Sequence, residues 1–429
     1  MKKLEPGRLC GCYLISMCTL FLLAVSPQGY RNIVETKFAV FCILTALFLL
    51  AFLVLIFQKA LPGSHKWDAA RVLILLYWAW SLLSALFSPW KGIAFLGADR
   101  SDGMITITLY CAVLLVLSRY GECDGFPVWI PAAALSVLCL AAILQFFDLN
   151  PLWLFPGELR WSGREREYNG AFLSLTGNAD LTASILCTGF GLLWPLGIRK
   201  KDIWLFLTSL LCLGVLFASG IRAGALGAAA SVILCLPTAL TIGKKGKIAV
   251  WAALGLLCVG MLLFVYFTPL SGTAGELHAL LHGRAEDSFG SGRVYIWKEV
   301  WKLVKERPLL GGGPDTLGER GLAFVKNAAD GTVLRRSIDC AHCEGLNILV
   351  NQGLPALVLI AAALFLTLVR SISNKAPRVV ALRSALIAYL ASSLFGIGMP
   401  ANSAFFWLLW GLLMRETAEE NGNQRFNVI

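Results

Sequence analysis

The sequence is poor in charged residues and lacks the short motifs of several large enzyme classes. Only 15% of its 429 residues are Asp, Glu, Lys or Arg, whereas about a quarter is usual in a soluble domain. It has no P-loop, no dinucleotide-binding glycine fingerprint and no HExxH zinc motif. These absences argue against a soluble nucleotide-dependent enzyme and against a zinc protease. Apolar residues are abundant instead, at 57% of the chain.

The apolar residues occur in blocks of about 17 to 25, which is the length that a helix needs to cross a hydrocarbon core. Backbone amides inside lipid must be paired within their own segment, so these blocks are expected to be helices. The sequence therefore predicts an all-α polytopic membrane protein with about twelve transmembrane helices. The predicted spans are 9–25, 38–57, 69–87, 103–118, 127–147, 178–197, 202–219, 222–240, 248–268, 345–370, 379–397 and 402–415.

The first predicted span has some features of a signal peptide, because Lys2, Lys3 and Arg8 precede an apolar run. No small-x-small cleavage site follows Val25, and further spans come directly after it. An uncleaved first helix is therefore the better interpretation.

Lysine and arginine in the short loops predict the orientation, because they resist translocation across the membrane. With the N-terminus inside, the inner loops are the richer in these residues, and both termini are cytoplasmic. The inner residues are Lys59, Lys66, Arg119, Arg199, Lys200, Lys201, Lys244, Lys245, Lys247, Lys375 and Arg378, against Arg31, Lys37, Lys91, Arg100 and Arg222 outside.

This orientation divides the chain into three parts. Residues 1–268 are expected to form a membrane bundle of about nine spans, and residues 345–429 a second bundle of about three spans with a cytoplasmic tail. Between them, 269–344 is a large extracytoplasmic loop, and 148–177 is a second long outer connection. The net charge of +11 fits the positive-inside bias, and no basic soluble domain suggests nucleic acid as a partner. Basic residues gathered in 269–344 call for an anionic partner outside, either lipid headgroups or substrate.

One segment of the large outer loop predicts an amphipathic helix running from Arg293 to Pro308. Its apolar residues recur at helical spacing, and its lysines lie away from them. Such a helix suits the headgroup plane of a membrane, but packing on other parts of the loop explains the pattern equally well. The apolar residues are Trp297, Val300, Trp301 and Val304, and the lysines are Lys298, Lys302 and Lys305.

Three residues are candidates for chemistry. His342 stands just before an apolar run, and histidine can accept a proton near neutral pH, as a general base for a sugar hydroxyl must. Arg222 lies between two apolar spans with almost no loop, where a charge usually has a function. Arg293 opens the amphipathic helix, although a helix N-terminus disfavours a cation. Arginine can form two bonds to a phosphate or diphosphate. The plainer interpretations are a surface histidine at a helix start, an arginine reaching the headgroups and a solvated loop arginine.

The thirteen cysteines give little information, since most lie within predicted spans. Cys340 and Cys343 flank His342 outside the spans, but no second cluster accompanies them to complete a zinc site. A disulfide between residues so close would be strained. Their role stays open.

Four motifs follow one another along residues 170–370. They are Ser219-Gly-Ile-Arg222-Ala-Gly224, Ser291-Gly-Arg293-x3-Trp297, Pro308-Leu-Leu-Gly-Gly-Gly-Pro314 and Ala341-His342-Cys-Glu-Gly-Leu-Asn347-x5-Gly353. This ordered set resembles the O-antigen ligase and polymerase superfamily, whose members ligate or polymerise lipid-linked glycans in bacteria.

The resemblance implies a membrane glycosyltransferase of the GT-C type at the outer face of the bacterial cytoplasmic membrane. Its donor would be an undecaprenyl-diphosphate-linked glycan, and its acceptor a glycan, lipid or protein. Arg222 and Arg293 would bind the donor diphosphate, His342 would activate the acceptor hydroxyl, and neither a metal nor a cofactor would be needed. The family commonly has asparagine after the histidine, whereas this chain has Cys343, which leaves the support of the imidazole open.

Other interpretations remain. A transporter or lipid flippase for a cell-envelope precursor has a similar number of spans, but broken helices and an internal repeat are expected of it. A metal-dependent transferase that uses a polyprenyl monophosphate sugar requires an acidic pair in the first outer loop, where Asp99 and Asp102 are a poor ligand pair. A scaffold leaves Arg222 unexplained. The sequence does not separate ligase from polymerase.

Overall fold

A computed structural model describes residues 5–59, 61, 67–123, 125–154, 172–327 and 333–426. Most of the predicted outer connection 148–177 lies outside these residues, as do Lys2, Lys3 and Lys66.

The fold is helical, as predicted, with one small exception. The helices are α1 (Pro6–Ser16, extended by a π-helical turn, Met17–Phe21), α2 (Ile33–Phe57), α3 (Ala69–Leu86), α4 (Lys91–Leu96), α5 (Met104–Tyr120), α6 (Trp129–Phe146), α7 (Ala179–Lys200), α8 (Ile203–Ala218), α9 (Arg222–Ala239), α10 (Lys244–Phe267), α11 (Gly272–Leu281), α12 (Phe289–Glu306), α13 (Glu344–Gln352), α14 (Leu354–Ser373), α15 (Pro377–Ser393) and α16 (Pro400–Phe426). The exception is an antiparallel hairpin, β1 (Ala323–Asn327) and β2 (Val333–Ser337). The prediction of an all-α chain was wrong there.

In the described part of the chain, seven helices are long and apolar enough to cross a membrane: α2, α3, α6, α7, α9, α10 and α14. Two shorter apolar helices, α5 and α8, accompany them. A polytopic membrane protein is therefore confirmed, and the count of twelve spans stays a prediction. The predicted span 345–370 is divided into α13 and α14 at Gly353. That residue has a φ of 86° and packs so closely on the carbonyl of Leu309 that a side chain would collide with it.

Helices α7, α9 and α15 form a closely packed trio at the centre of the bundle, here called the central trio. Small residues allow this approach. A β-carbon added to Gly191 of α7 would lie 2.9 Å from Cα of Ala385 in α15, and one added to Gly227 of α9 would lie 2.5 Å from the carbonyl oxygen of Ala388. Gly224 and Gly227 both lie at such close contacts, whereas Gly220 forms the turn before α9 with a φ of 69°.

The amphipathic helix exists as α12, and its apolar face is covered by protein. Regular helix begins at Arg293, because Gly290 to Gly292 have left-handed backbone angles. Ile296, Val300 and Val304 are buried against α13 and the segments around it, whereas Trp301 is 49% exposed. Packing on other parts of the loop is therefore the interpretation that the structure supports.

One outer-loop assignment needs correction. Lys37 lies inside α2 and is buried, where its ammonium donates to the carbonyls of Phe21 and Leu22 at 3.3 and 2.9 Å. These bonds strengthen the end of the π-helical turn, where the carbonyl of Phe21 also accepts from the amide of Ala24 at 3.3 Å. The short loop after α3 also contains a helix, α4, which turns the chain back toward residues 97–103.

Candidate functional site

Several distant segments meet where α7 and α9 begin and α15 ends, here called the site end of the bundle. Leu181 at the start of α7, Cys340 and Met399 share one buried cluster. Asn402 of α16 donates to the hydroxyl of Ser184 in α7 at 3.0 Å. These contacts fix the loop that carries His342 over the start of α7.

His342 is held in an unusual backbone conformation. Its φ is 48°, in the left-handed region that residues other than glycine rarely adopt. Trp297 of α12 donates its indole N–H to the carbonyl of Ala341 at 2.9 Å, and the side chain of Asn347 accepts from the amide of Ala341 at 3.4 Å. Both contacts hold the residue just before the histidine. Strain of this kind persists where surrounding contacts impose it, and it occurs preferentially at functional sites.

The environment of the imidazole keeps it neutral. Burial lowers the pKa of His342, and the positive charges of Arg293 and Arg100 lower it further. Asp180 and Asp339 act in the opposite direction and are outweighed. A histidine with a lowered pKa has its lone pair available at neutral pH, as a general base requires.

One imidazole nitrogen lacks support. Nδ1 is buried, and none of the described groups forms a hydrogen bond with it. Cys343, where the family commonly has asparagine, begins α13 as its N-cap residue. The sequence left the support of the imidazole open, and in the structure none of the described neighbours forms a hydrogen bond that orients it.

Arg293 lies one turn before Trp297 in α12, and Trp297 contacts the residue before His342. One guanidinium nitrogen of Arg293, Nη1, donates to the carbonyl of Gly290 at 2.7 Å, which holds the side chain at the start of the regular helix. Its Nε is buried, and the described residues offer it no acceptor. An arginine in this position has donors left for an anion.

Arg222 is at the same end of the bundle but apart from the other two predicted residues. It is the first residue of α9, and Gly224, two residues further on, packs against Ala183 near the start of α7. Its side chain is exposed. The described contacts include none between Arg222 and His342 or Arg293.

Sequence reasoning missed Arg100, which it counted only as a loop charge. Arg100 is 8% exposed, and its Nε donates to Asp339 at 3.0 Å in an ion pair. Its Nη1 is buried and finds no acceptor among the described residues. Asp180, another charge that acts on His342, stands at the start of α7 behind the Asn178 cap. Neither residue lies in a motif near His342. Arg100, for example, precedes His342 by 242 positions along the chain.

Sequence reasoning also missed a group of carboxylates beside the arginines. Asp315 accepts hydrogen bonds from the amides of Ala98 and Asp102 at 2.7 and 3.1 Å. Burial raises the pKa of Asp102 well above its ordinary value, and the charges of Glu344 and Asp315 raise it further. Burial likewise raises the pKa of Glu344. These side chains line one end of a cavity of about 460 Å³.

The glycine-rich motif is structural. Gly312 and Gly313 donate their amides to the carbonyls of Val350 and Asn351 at 3.2 and 2.7 Å, along the end of α13. Two serines of the α3 segment, Ser84 and Ser88, donate to carbonyls of the same motif at 2.5 Å. The motif joins α3 to α13 and so fixes the helix that follows His342.

The described residues contain no group of three or more His, Cys, Asp or Glu side chains arranged to hold a metal ion. Cys340 is buried, which raises the pKa of its thiol to about 11, and its sulfur accepts a bond from the amide of His342 at 3.4 Å. All thirteen cysteines carry free thiols.

Comparison with known proteins points to one family. No curated protein matches the chain. Residues 207–361 match the model of the family described as O-antigen ligase, and this segment contains Arg222, Arg293 and His342. The match indicates glycan transfer of the ligase or polymerase kind. The resemblance of this chain to the O-antigen ligase and polymerase superfamily is therefore confirmed, on the evidence of residues 207–361.

Proposed function

We propose that this protein transfers a glycan from an undecaprenyl-diphosphate donor to an acceptor hydroxyl at the outer face of the bacterial cytoplasmic membrane. In this proposal the chain has about twelve spans in a GT-C-like arrangement. Residues 1–268 and 345–429 form the membrane bundles, and 269–344 is the extracytoplasmic loop. The observation that supports the proposal is that α12, which begins with Arg293, contacts the loop of His342 through Trp297 and Ala341, while Arg100 pairs with Asp339 of the same loop; the charges of both arginines lower the pKa of His342.

The reaction needs one base and one anion site. His342 takes the proton of the acceptor hydroxyl as its oxygen attacks the anomeric carbon of the donor sugar. The bond between that carbon and the diphosphate oxygen breaks, and its electron pair leaves with undecaprenyl diphosphate. Arg293 and Arg222 stabilise the negative charge that develops on the leaving diphosphate, which is the largest demand in such a transition state.

The charges at the site end support this division of work. Arg293 has a buried Nε without a described acceptor, so a bound diphosphate supplies what the side chain lacks. Arg222 is exposed at the same end and engages the donor from the side of α9. No metal or cofactor takes part in this scheme, since the leaving group arrives already activated as a diphosphate ester.

Reconstitution tests the reaction. Purified protein in liposomes receives a radiolabelled undecaprenyl-diphosphate oligosaccharide and an acceptor, and the products are separated by chromatography. The proposal predicts that one undecaprenyl diphosphate is released for each glycan joined to the acceptor. Movement of the intact donor across the bilayer, without cleavage of the sugar–phosphate bond, indicates a flippase or transporter and contradicts the proposal. A second undecaprenyl-linked chain as the preferred acceptor identifies a polymerase, and a different lipid or a protein identifies a ligase.

A further inference from the structure

One cavity is lined by Glu344 and Asn347, which follow His342 in the chain, and its lining has two chemically distinct parts. It has a volume of about 460 Å³ and lies among α3, α5, α9, α13, α14, α15 and α16. Its polar part has carboxylates, amides and the hydroxyls of tyrosine and serine side chains, and its other part is apolar. The apolar wall is formed by Ile348, Leu357, Ile360, Leu364, Leu390, Phe406 and Trp407. An amphipathic molecule with a polar head and a hydrocarbon body matches this division.

The polar end contains a hydrogen-bonding group without a partner. Asn351 is 2% exposed, and its amide nitrogen donates to the side chain of Asn347 at 3.4 Å. Its Oδ1 is buried, and the described residues supply no donor to it. Leaving a buried acceptor without a bond costs about 1–3 kcal/mol, so a donor from a bound molecule is expected at this position.

The carboxylates determine which polar head groups the cavity can accept. Asp102, Asp315 and Glu344 all line the cavity, and the charges of Glu344 and Asp315 add to the effect of burial in raising the pKa of Asp102. Oδ1 of Asp102 is buried and has no described partner. Such a group of acids repels phosphate, whereas hydroxyl groups can donate to carboxylates and accept from carboxylic acids.

The arginines and the carboxylates therefore distinguish two kinds of ligand around His342. We propose that this cavity binds an amphipathic acceptor with an uncharged, hydroxyl-bearing sugar head, and that the diphosphate of the donor is excluded from it. The assignment to the acceptor rests on the proposed transfer reaction. The sugar hydroxyls lie against Asp102, Glu344 and Asn351, and the hydrocarbon lies along α14 and α15. Asn347, which also lines the cavity, accepts a hydrogen bond from the amide of Ala341 at 3.4 Å, so in this proposal a hydroxyl of the bound head lies near the loop that carries His342.

Photocrosslinking of the full chain in lipid nanodiscs tests this assignment without any donor present. The probe is octyl β-glucoside with a diazirine in its alkyl chain, and mass spectrometry locates the labelled residues. Saturable labelling of α14 and α15 around the cavity is expected. Unlabelled octyl glucoside is expected to compete, and octyl phosphate is not. Labelling only outside the cavity, or equal competition by octyl phosphate, overturns the proposal.

Matched variants sharpen the result. Asp102→Leu and Asn351→Leu each remove hydrogen-bonding groups and are expected to weaken saturable labelling by roughly three- to tenfold. Asp99→Leu, in the same loop but outside the cavity lining, is expected to leave labelling unchanged. Ser393→Trp fills the cavity and is expected to abolish labelling. This variant tests the proposal even if Asp102→Leu or Asn351→Leu fails to fold. Undiminished labelling of Ser393→Trp overturns the proposal.

The two proposals fail in different ways. Absence of cavity labelling, with a transfer reaction that still depends on His342, overturns the acceptor assignment alone. If the cavity is labelled saturably but the His342→Ala variant is fully active, the proposed chemistry alone is overturned.

Discussion

The central trio and the site end lie next to each other, yet they differ in how their buried polar groups are satisfied. In the trio, the hydroxyls of Ser231 and Ser384 share a hydrogen bond of 2.7 Å, and Ser231 accepts the indole N–H of Trp194 at 2.9 Å. At the site end, several buried side-chain atoms have no partner among the described residues. They belong to Arg100, Asp102, Arg293, His342 and Asn351.

This difference indicates that the central trio serves stability and that the site end serves function. Each buried polar atom without a partner costs about 1–3 kcal/mol, and such groups persist where they serve another purpose. The trio contributes close packing between small residues. We therefore expect substitutions in the trio to reduce stability, and substitutions at the site end to reduce transfer while stability is kept.

The largest expected effect is that of His342→Ala. Loss of a general base lowers a transfer rate by about 10²–10⁴-fold, and the melting temperature of the variant is expected to stay at the wild-type value. Initial rates in liposomes and thermal unfolding in detergent measure the two quantities. The matched control is His282→Ala, an exposed histidine of the same loop, for which wild-type transfer is expected. Full activity of His342→Ala removes the residue from the mechanism.

Arg293→Ala is expected to reduce transfer by roughly ten- to a hundredfold, because a hydrogen bond to a charged group contributes about 1.5–3 kcal/mol. Arg222→Ala is expected to act in the same direction. Lysine at either position is expected to rescue activity only in part, since it keeps the charge and loses the second bond. Lys298→Ala, an exposed residue on α12, serves as the control. Full rescue by lysine would show that charge alone is needed.

Gly191→Val tests the other side of the comparison. Its side chain would meet the backbone of Ala385, and overpacking of this kind costs about 1–3 kcal/mol. Gly255→Val is the matched control, because a side chain added to Gly255 of α10 would meet open space. Thermal unfolding in detergent is expected to show a lower melting temperature for Gly191→Val alone. Equal melting temperatures would contradict the packing role of the trio.

The smallest expected effect concerns pH. Transfer requires neutral His342, so activity falls as the pH drops through the pKa of this histidine, which lies below the ordinary 6.5. Asp180→Asn removes a negative charge that favours the imidazolium, so it moves this midpoint to still lower pH. Arg293→Ala, measured at saturating donor, moves the midpoint upward. Opposite shifts in the pH–rate profiles would contradict the placement of these charges around the imidazole.

The sequence predicted those features that depend on local composition. Apolar length located most helices to within a few residues, and helical spacing located α12 together with the lysines on its exposed side. The covered side of α12 was not predictable, because Trp297 and Trp301 have similar patterns and only contacts with α13 separate them.

The site was predictable only in part, because some of its residues meet through contacts between distant segments. His342, Arg222 and Arg293 were found because ordered motifs surround them. Arg100, Asp102 and Asp180 have no such motif, and they join the site through pairings between distant parts of the chain, such as Arg100 with Asp339. The loop that contains Arg100 and Asp102 also held α4, which was too short to show a helical period.

Donor binding by two variants tests the division of work at the site end most directly. The measurement is the dissociation constant of a fluorescent undecaprenyl-diphosphate N-acetylglucosamine for wild type, His342→Ala and Arg293→Ala in nanodiscs. We predict that His342→Ala binds the donor as wild type does, although it no longer transfers the sugar, and that Arg293→Ala binds it more weakly. Donor binding that is lost in His342→Ala, or unchanged in Arg293→Ala, would contradict the roles assigned here.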